Sequence, residues 1–238
     1  MSASHFRAIA RAASRLYRPD DRFARHFAYG KLTRDPAFRA LLQRGLLASG
    51  HRLLDLGCGQ GVLEALLIAA REAHGRGEWP SDWPAPPKDC AMHGVDVAAR
   101  AIERAREACA NAATFVRGDI RNSDFGSADA VVIFDVLHYI DYAAQDEVLQ
   151  RVRAALGRSG LLLLRVGDRS RSARFFFTDL VDRVVMRLRG HRLERLYCRP
   201  AAEWVARLAE LGFRMDTLPM SEGTLFANVL LVARYDGS

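Results

Sequence analysis

Four aspartates stand at or just beside the ends of four apolar stretches: Asp55 in RLLDLG, Asp96 in AMHGVD, Asp119 in ATFVRGD and Asp135 in ADAVVIFD. The first stretch runs on through CGQG, so Gly57, Gly59 and Gly61 alternate with Cys58 and Gln60 directly behind an acid. Removing every second side chain lets a backbone approach a ligand closely and adopt φ values that other residues avoid. Carboxylates at the same loop ends add acceptors and negative charge. One such Asp carries little weight, because Asp also caps helices and turns; four at successive strand ends form a pattern. The spacing G-x-G-x-G departs from the G-x-G-x-x-G of dinucleotide sites, which seat a pyrophosphate on a helix N-terminus. Candidates for proton transfer are His138 and Tyr139 in DVLHYID, and His26, Tyr29 and Lys31 in RFARHFAYGKL. Lys31 is one of two lysines in a chain with 33 arginines. The competing reading of that N-terminal stretch is a solvated helix face with Phe23 and Phe27 packed inward.

The elements that must position these groups follow from periodicity. DPAFRALLQRGLL reads as a helix from an Asp35–Pro36 start to Ser49–Gly50. RLLDLG is a strand, VLEALLIAAREA a buried helix, and the Pro, Gly and Trp-rich stretch 75–87 a surface insertion. AMHGVD, ATFVRGD, ADAVVIFD and GLLLLRVG are further strands, with helices AARAIERAREACA and QDEVLQRVRAAL between them. Such alternation specifies a parallel sheet covered on both faces. The tail changes character: a helix over 201–211, then FRMDTLPM and FANVLLVARY, which suit an antiparallel pair at the sheet's end. Phe6, Ile9, Ala10, Ala13, Leu16 and Tyr17 recur at helical spacing near the N-terminus, which favours an amphipathic helix over a transit peptide. The expected organisation is a helical cap and substrate lid over 1–40 and one domain over 41–238, interrupted by a basic lid at 167–200.

Composition narrows the class. With 238 residues, half hydrophobic and 26% charged, the chain is of ordinary globular type. No apolar run reaches the roughly 18 residues of a spanning helix. Cys58, Cys90, Cys109 and Cys198 form no C-x-x-C pair and no zinc or disulfide spacing, so no metal is expected and a reducing cytoplasm is the expected location.

In order, LLDLGCGQG, GVDVAARAIERAR, FVRGDI, VVIFDVLHYI and GLLLLRVGD resemble the successive motifs of class I S-adenosylmethionine-dependent methyltransferases. The resemblance covers residues 35–166, and the two C-terminal strands fit that family's closing hairpin. It implies a Rossmann-like α/β fold: a seven-stranded, mainly parallel sheet with helices on both faces. It also implies that S-adenosyl-L-methionine is the cofactor. Asp55 and the Gly57 backbone would lie near its ammonium end, with Cys58 and Gly59 in the same loop and Cys58 a small filler. Asp96, followed by Val97, would accept both ribose hydroxyls; Asp119 and the Ile120 backbone would read the adenine amino group. Asp135 would edge the methionine moiety, where the methyl group is presented. His138 and Tyr139 stand where a base is needed if the acceptor must lose a proton, and His26, Tyr29, Arg165 and Arg199 where substrate is held.

Charge bears on the acceptor. Residues 1–40 carry nine basic and three acidic groups and residues 165–199 ten and four, whereas the rest of the chain is net acidic. The second segment joins its arginines to FFF and the amphipathic FTDLVDRVVMRL. An anionic partner follows: RNA, a membrane surface with a lipid or quinone precursor, or a small acidic or acyl group on an acidic carrier protein. The chain has no K/R run and no N-P-P-Y motif, which weighs against nucleic acid. A narrower resemblance, in FARHFAYGKL, DVLHYID, LLLLRVGD, GHRLERLYCRP and FANVLLVARY, is to methyltransferases of bacterial aryl-polyene pigment pathways, a secondary metabolism with carrier-bound aromatic acyl groups. A binding module that no longer transfers methyl groups is the non-enzymatic alternative.

Overall fold

The computed structural model describes residues 2–167, 196–220 and 228–237. Of the basic lid, residues 168–195, with FFF and the arginines 169–195, therefore lie outside the described residues. The chain divides into two compact units, Met1–Ser123 and Asp124–Ser238.

The first unit opens with three helices: α1 (Ser2–Arg15), α2 (Arg22–Arg34) and α3 (Pro36–Gln43). On α1 the apolar positions Phe6, Ile9, Ala10 and Ala13 are buried, as is Tyr17 just past its end. Asp21 caps α2 by accepting from the Ala24 N–H, and Asp35 caps α3 by accepting from Ala37. The helix expected to reach Ser49 stops at Gln43, because Gly45 takes a left-handed φ of 56° and ends it. Then come β1 (Arg52–Leu56), α4 (Val62–Gly75), β2 (Ala91–Asp96), α5 (Ala99–Ala108) and β3 (Ala113–Arg117). Both β1 and β3 pair in parallel with β2. The insertion 75–87 is a loop, and it is anchored: Trp83 is buried, with its ring 6.4 Å from that of Phe6.

The second unit holds β4 (Ala128–Phe134), a short 3-10 turn (Leu137–Tyr139), α6 (Tyr142–Ala155), β5 (Leu156–Gly167), α7 (Ala201–Glu210), β6 (Arg214–Pro219) and β7 (Asn228–Tyr235). Strand β4 runs parallel to β5, while β7 lies antiparallel between β5 and β6. Strands β4, β5 and β7 bury near-continuous Val, Ile and Leu runs, as strands covered on both faces must. The whole sheet has seven strands in the order β3-β2-β1-β4-β5-β7-β6.

Candidate functional site

The glycine loop is built by three left-handed residues, Gly57 (φ 81°), Gly59 (56°) and Gly61 (74°). They serve different ends. A Cβ on Gly61 would sit 3.1 Å from both Ala105 and Phe115, so this glycine lets α4 pack against α5 and β3. A Cβ on Gly59 would meet no atom within 4 Å. Its missing side chain therefore satisfies the turn and leaves room above the backbone, as a ligand cradle requires. The amides of Gly57 and Cys58 donate to the Val95 carbonyl at 2.7 and 3.2 Å, clamping the loop to β2. Cys58 is buried against Gly94, and burial, then Glu64 and Asp55, raise its thiol pKa far above normal; it fills space.

Asp96 holds this loop as well as facing it. Its Oδ2 accepts from the Gly59 N–H at 2.9 Å and its Oδ1 from the Ala98 N–H at 2.8 Å. Each oxygen keeps a further lone pair, so a carboxylate fixed by two amides is set to accept two hydroxyls. Val97, directly after it, is 51% exposed although apolar. Gly118, after β3, donates its N–H to the Asp96 carbonyl and so places Asp119 beside the same strand end. The Asp119 carboxylate accepts from the Arg121 amide and pairs with its guanidinium, which holds it below the usual carboxylate range. Ile120 is buried. Asp55 is buried at the end of β1, where burial, then Glu64 and Asp96, hold its carboxyl well above the usual range.

Three participants escape a reading of motifs. Gln60, buried inside the loop, donates its side-chain amide to the Ala24 carbonyl at 2.8 Å, and its own carbonyl accepts the Tyr17 hydroxyl at 3.0 Å. One residue thus ties the end of α1 and the first turn of α2 to the glycine loop. Arg104 on α5 adds an ion pair to Asp21, with Nε to Oδ2 at 2.6 Å. Glu64 on α4 is fully buried. Of the residues predicted on α2, Lys31 pairs with Asp35 at 3.0 Å, the His26 Nδ1 lies 2.8 Å from the Arg22 carbonyl, and Tyr29 has Arg11 over its ring. The buried face of α2 is Ala24, Ala28 and Leu32; Phe23, expected inward, is 61% exposed and stacks on Phe27.

In the second unit, Asp135 follows β4 with a left-handed φ of 58°, a strained conformation for a residue with a Cβ. Arg165 of β5, almost fully buried, holds it in place through an ion pair at 3.0 Å. Next come His138 and Tyr139 on the 3-10 turn, their rings 4.1 Å apart. That turn is organised by buried Gln145, whose side-chain amide donates to the carbonyls of Leu137, Ile140 and Tyr197. The Tyr197 N–H donates in turn to the His138 carbonyl. Arg199 is 2% exposed: it donates to the Tyr142 carbonyl, pairs with Asp146 at 2.9 Å and Glu203 at 3.4 Å, and lies over the rings of Tyr142 and Trp204. Its visible work is to anchor residues 196–200. Among the described residues no helix is long and apolar enough to cross a membrane.

Comparison with known proteins bears on the domain and the fold. A family profile described as a methyltransferase domain matches residues 54–162. The carboxy-S-adenosyl-L-methionine synthase of Chromohalobacter salexigens is 29% identical over 130 residues, half of this chain; the match spans 43% of that relative's length. Among solved structures, the magnesium protoporphyrin IX methyltransferase of Synechocystis PCC 6803 with bound SAH is 18% identical with a TM-score of 0.59, over 98% of this chain and 93% of its own. The pyocyanin biosynthetic protein PhzM is 20% identical with a TM-score of 0.62, over 94% of this chain and 61% of its own. At these identities the structures speak for the fold. The stretch that matches the methyltransferase domain runs from the strand carrying Asp55 into the strand carrying Arg165, and the sheet closes on the β5-β7-β6 arrangement, the Rossmann-like fold of these solved methyltransferases.

Proposed function

We propose that this chain moves the methyl group of S-adenosylmethionine to an oxygen or carbon of a small aromatic or acyl acceptor presented by an acidic carrier protein. The observation that carries the cofactor half is Asp96, fixed through both oxygens to the Gly59 and Ala98 amides beside a glycine with open space above it. When bound, the cofactor supplies a sulfonium methyl that is already activated for displacement. The protein's task is then to orient the acceptor and to remove its proton where it has one. Asp55, Gly57 and Gly59 would take the amino-acid end, with Cys58 packed beneath them. Asp96 and Val97 would take the ribose, and Asp119 and Ile120 the base.

On the acceptor side His138 is assigned the role of base and Tyr139 that of its orienting neighbour, on a turn held by Gln145 and Tyr197. Arg165 acts through Asp135, and Arg199 through the segment it anchors. His26, Tyr29 and Lys31 are assigned to the acceptor side of α2. The carrier follows from charge: two strongly basic segments flank a net acidic remainder, and several arginines exceed what one small carboxylate uses.

The test is a labelled-methyl assay comparing an acceptor acid free, as a coenzyme A thioester and on a carrier protein, with lipid extract and RNA as further arms. A preference for the carrier-bound form that declines with salt supports the reading; equal use of the free acid removes the carrier. His138→Ala should lower turnover while sparing cofactor affinity, and the defect should shrink at high pH for a phenolic acceptor; a pH-independent defect makes His138 structural. A second reading comes from the carboxy-S-adenosyl-L-methionine synthase relative, whose name denotes a reaction on the cofactor itself. Label retained in a modified nucleoside, with none in an acceptor, would favour it.

A further inference from the structure

Glu64 breaks an otherwise apolar helix face, VLEALLIAA, and is 0% exposed. Both of its oxygens are buried, and among the described residues no side chain outside this acid pair donates to them. What lies against it is a second acid, Asp55, itself 5% exposed. Two carboxyls in contact and out of water cannot both ionise cheaply, because each charge is desolvated and each repels the other. The remaining neighbours do not help. Tyr17 after α1, Cys58 in the glycine loop, Asp96 at the end of β2 and Cys109 after α5 are the titratable groups around the pair, and each is neutral or acidic. Among the described residues, no Lys or Arg is named as acting on either carboxyl. What favours the Glu64 charge is its own backbone amide in the first turn of α4 and the hydrogen bond from the Asp55 carboxyl.

We propose that Asp55 and Glu64 share a proton until a cationic group arrives beside Asp55, and that binding this cation expels the proton to solvent, so that cofactor affinity is coupled to pH. The inference rests on the adenosylmethionine reading above. That cofactor carries two cations, an ammonium and a sulfonium, and either has the chemistry to replace the proton. Glu64 need not touch the ligand. It is a positioning residue that sets the protonation of Asp55, and the charge balance is one cation in and up to one proton out.

The direction agrees with the electrostatics: burial pushes Glu64 up to about 7 and holds Asp55 well above its usual range, so the pair gives up its proton at higher pH than exposed carboxyls do. The bound form has fewer protons than the free form, so affinity rises with pH, by up to about tenfold per unit near neutrality.

The experiment is isothermal titration of the full chain with S-adenosylmethionine in buffers of different ionisation enthalpy, from pH 6 to 7.5, with S-adenosylhomocysteine and methylthioadenosine as further ligands. Release of up to about one proton with adenosylmethionine, and none with the uncharged methylthioadenosine, is expected. Release with adenosylhomocysteine as well identifies the ammonium; release with adenosylmethionine alone identifies the sulfonium. Glu64→Gln should bind adenosylmethionine with little proton release and a flattened pH profile, and the ligand's own titration cancels in this comparison. Wild-type binding without proton release, or equal release with methylthioadenosine, overturns the proposal and leaves the cofactor reading intact. Failure of adenosylmethionine to bind at any pH overturns the cofactor reading itself. Should Glu64→Gln not fold, the wild-type buffer series still decides.

Discussion

Replacing Asp96 by Asn separates a carboxylate needed for its geometry from one needed only for its size. Each oxygen of Asp96 already accepts one backbone N–H, from Ala98 at 2.8 Å and Gly59 at 2.9 Å. An Asn side chain offers one carbonyl and one NH2 group, so in either orientation an amide hydrogen of the loop or of the α5 N-terminus faces another donor. Losing that charge-assisted bond costs about 1–3 kcal/mol of folded stability. The same change removes an acceptor from the proposed ribose contact, and adenosylmethionine affinity should fall by about 1.5–3 kcal/mol, roughly ten- to 150-fold. Asp96→Ala should fall in the same range, so the amide would rescue little. Calorimetric titration reads the affinity, and thermal unfolding shows that the variant is folded at the temperature used. An Asn variant that binds within about twofold of the wild type would refute the two-amide argument.

The two loop glycines should respond differently. Gly59→Ala should cost about 1–2 kcal/mol of stability for its left-handed φ, yet weaken adenosylmethionine binding more than Gly61→Ala does. Gly61→Ala should unfold more easily, because its methyl also meets Ala105 and Phe115; denaturant melts and ligand titration of both variants check this ordering. Gln60→Ala removes the side-chain bond to the Ala24 carbonyl, which keeps its partner within α2, with an expected loss of about 0.5–1.5 kcal/mol. Hydrogen exchange should then quicken in α1 and α2 and leave β5 and β7 unchanged; uniform quickening would contradict the tie. The Ala24 amide and Arg104 hold Asp21 below its ordinary value. A depressed acid stabilises the fold above its unfolded value of about 3.9 and loses that contribution as pH falls through the lower folded value. Wild type should therefore exceed Asp21→Asn in stability at neutral pH and converge with it in acid; parallel pH profiles would count against the pairing.

What could be read from sequence was whatever repeats at short range. Alternating strands and helices, the glycine loop, the four strand-end acids and the closing antiparallel pair all carry a local period or spacing, and the observed elements fall within a few residues of those expected. Errors came where one residue overrules a period: Gly45 ends α3 early, and Ala24 and Ala28 take the buried face of α2 from Phe23. The groups that complete the site were hidden because they act at long range. Gln60 meets Ala24 and Tyr17 across 36 and 43 residues, and nothing local announces either partner. Glu64 did leave a signal, a lone acid in an apolar helix run, and its partner Asp55 was already in view. Arg165 and Arg199 were visible as basic residues, whereas their commitments to Asp135 and to Asp146 emerge only from the fold.

The central claim is tested most directly by incubating the purified chain with S-adenosylmethionine labelled in its methyl group and a panel of small aromatic and acyl acceptors, free and carrier-bound, and measuring label in the acceptor fraction. Enzyme-dependent transfer that is sharply reduced in Asp96→Ala is the predicted result. Absence of label from every acceptor, with S-adenosylmethionine bound and recovered unchanged, would contradict it and leave a binding module in place of an enzyme.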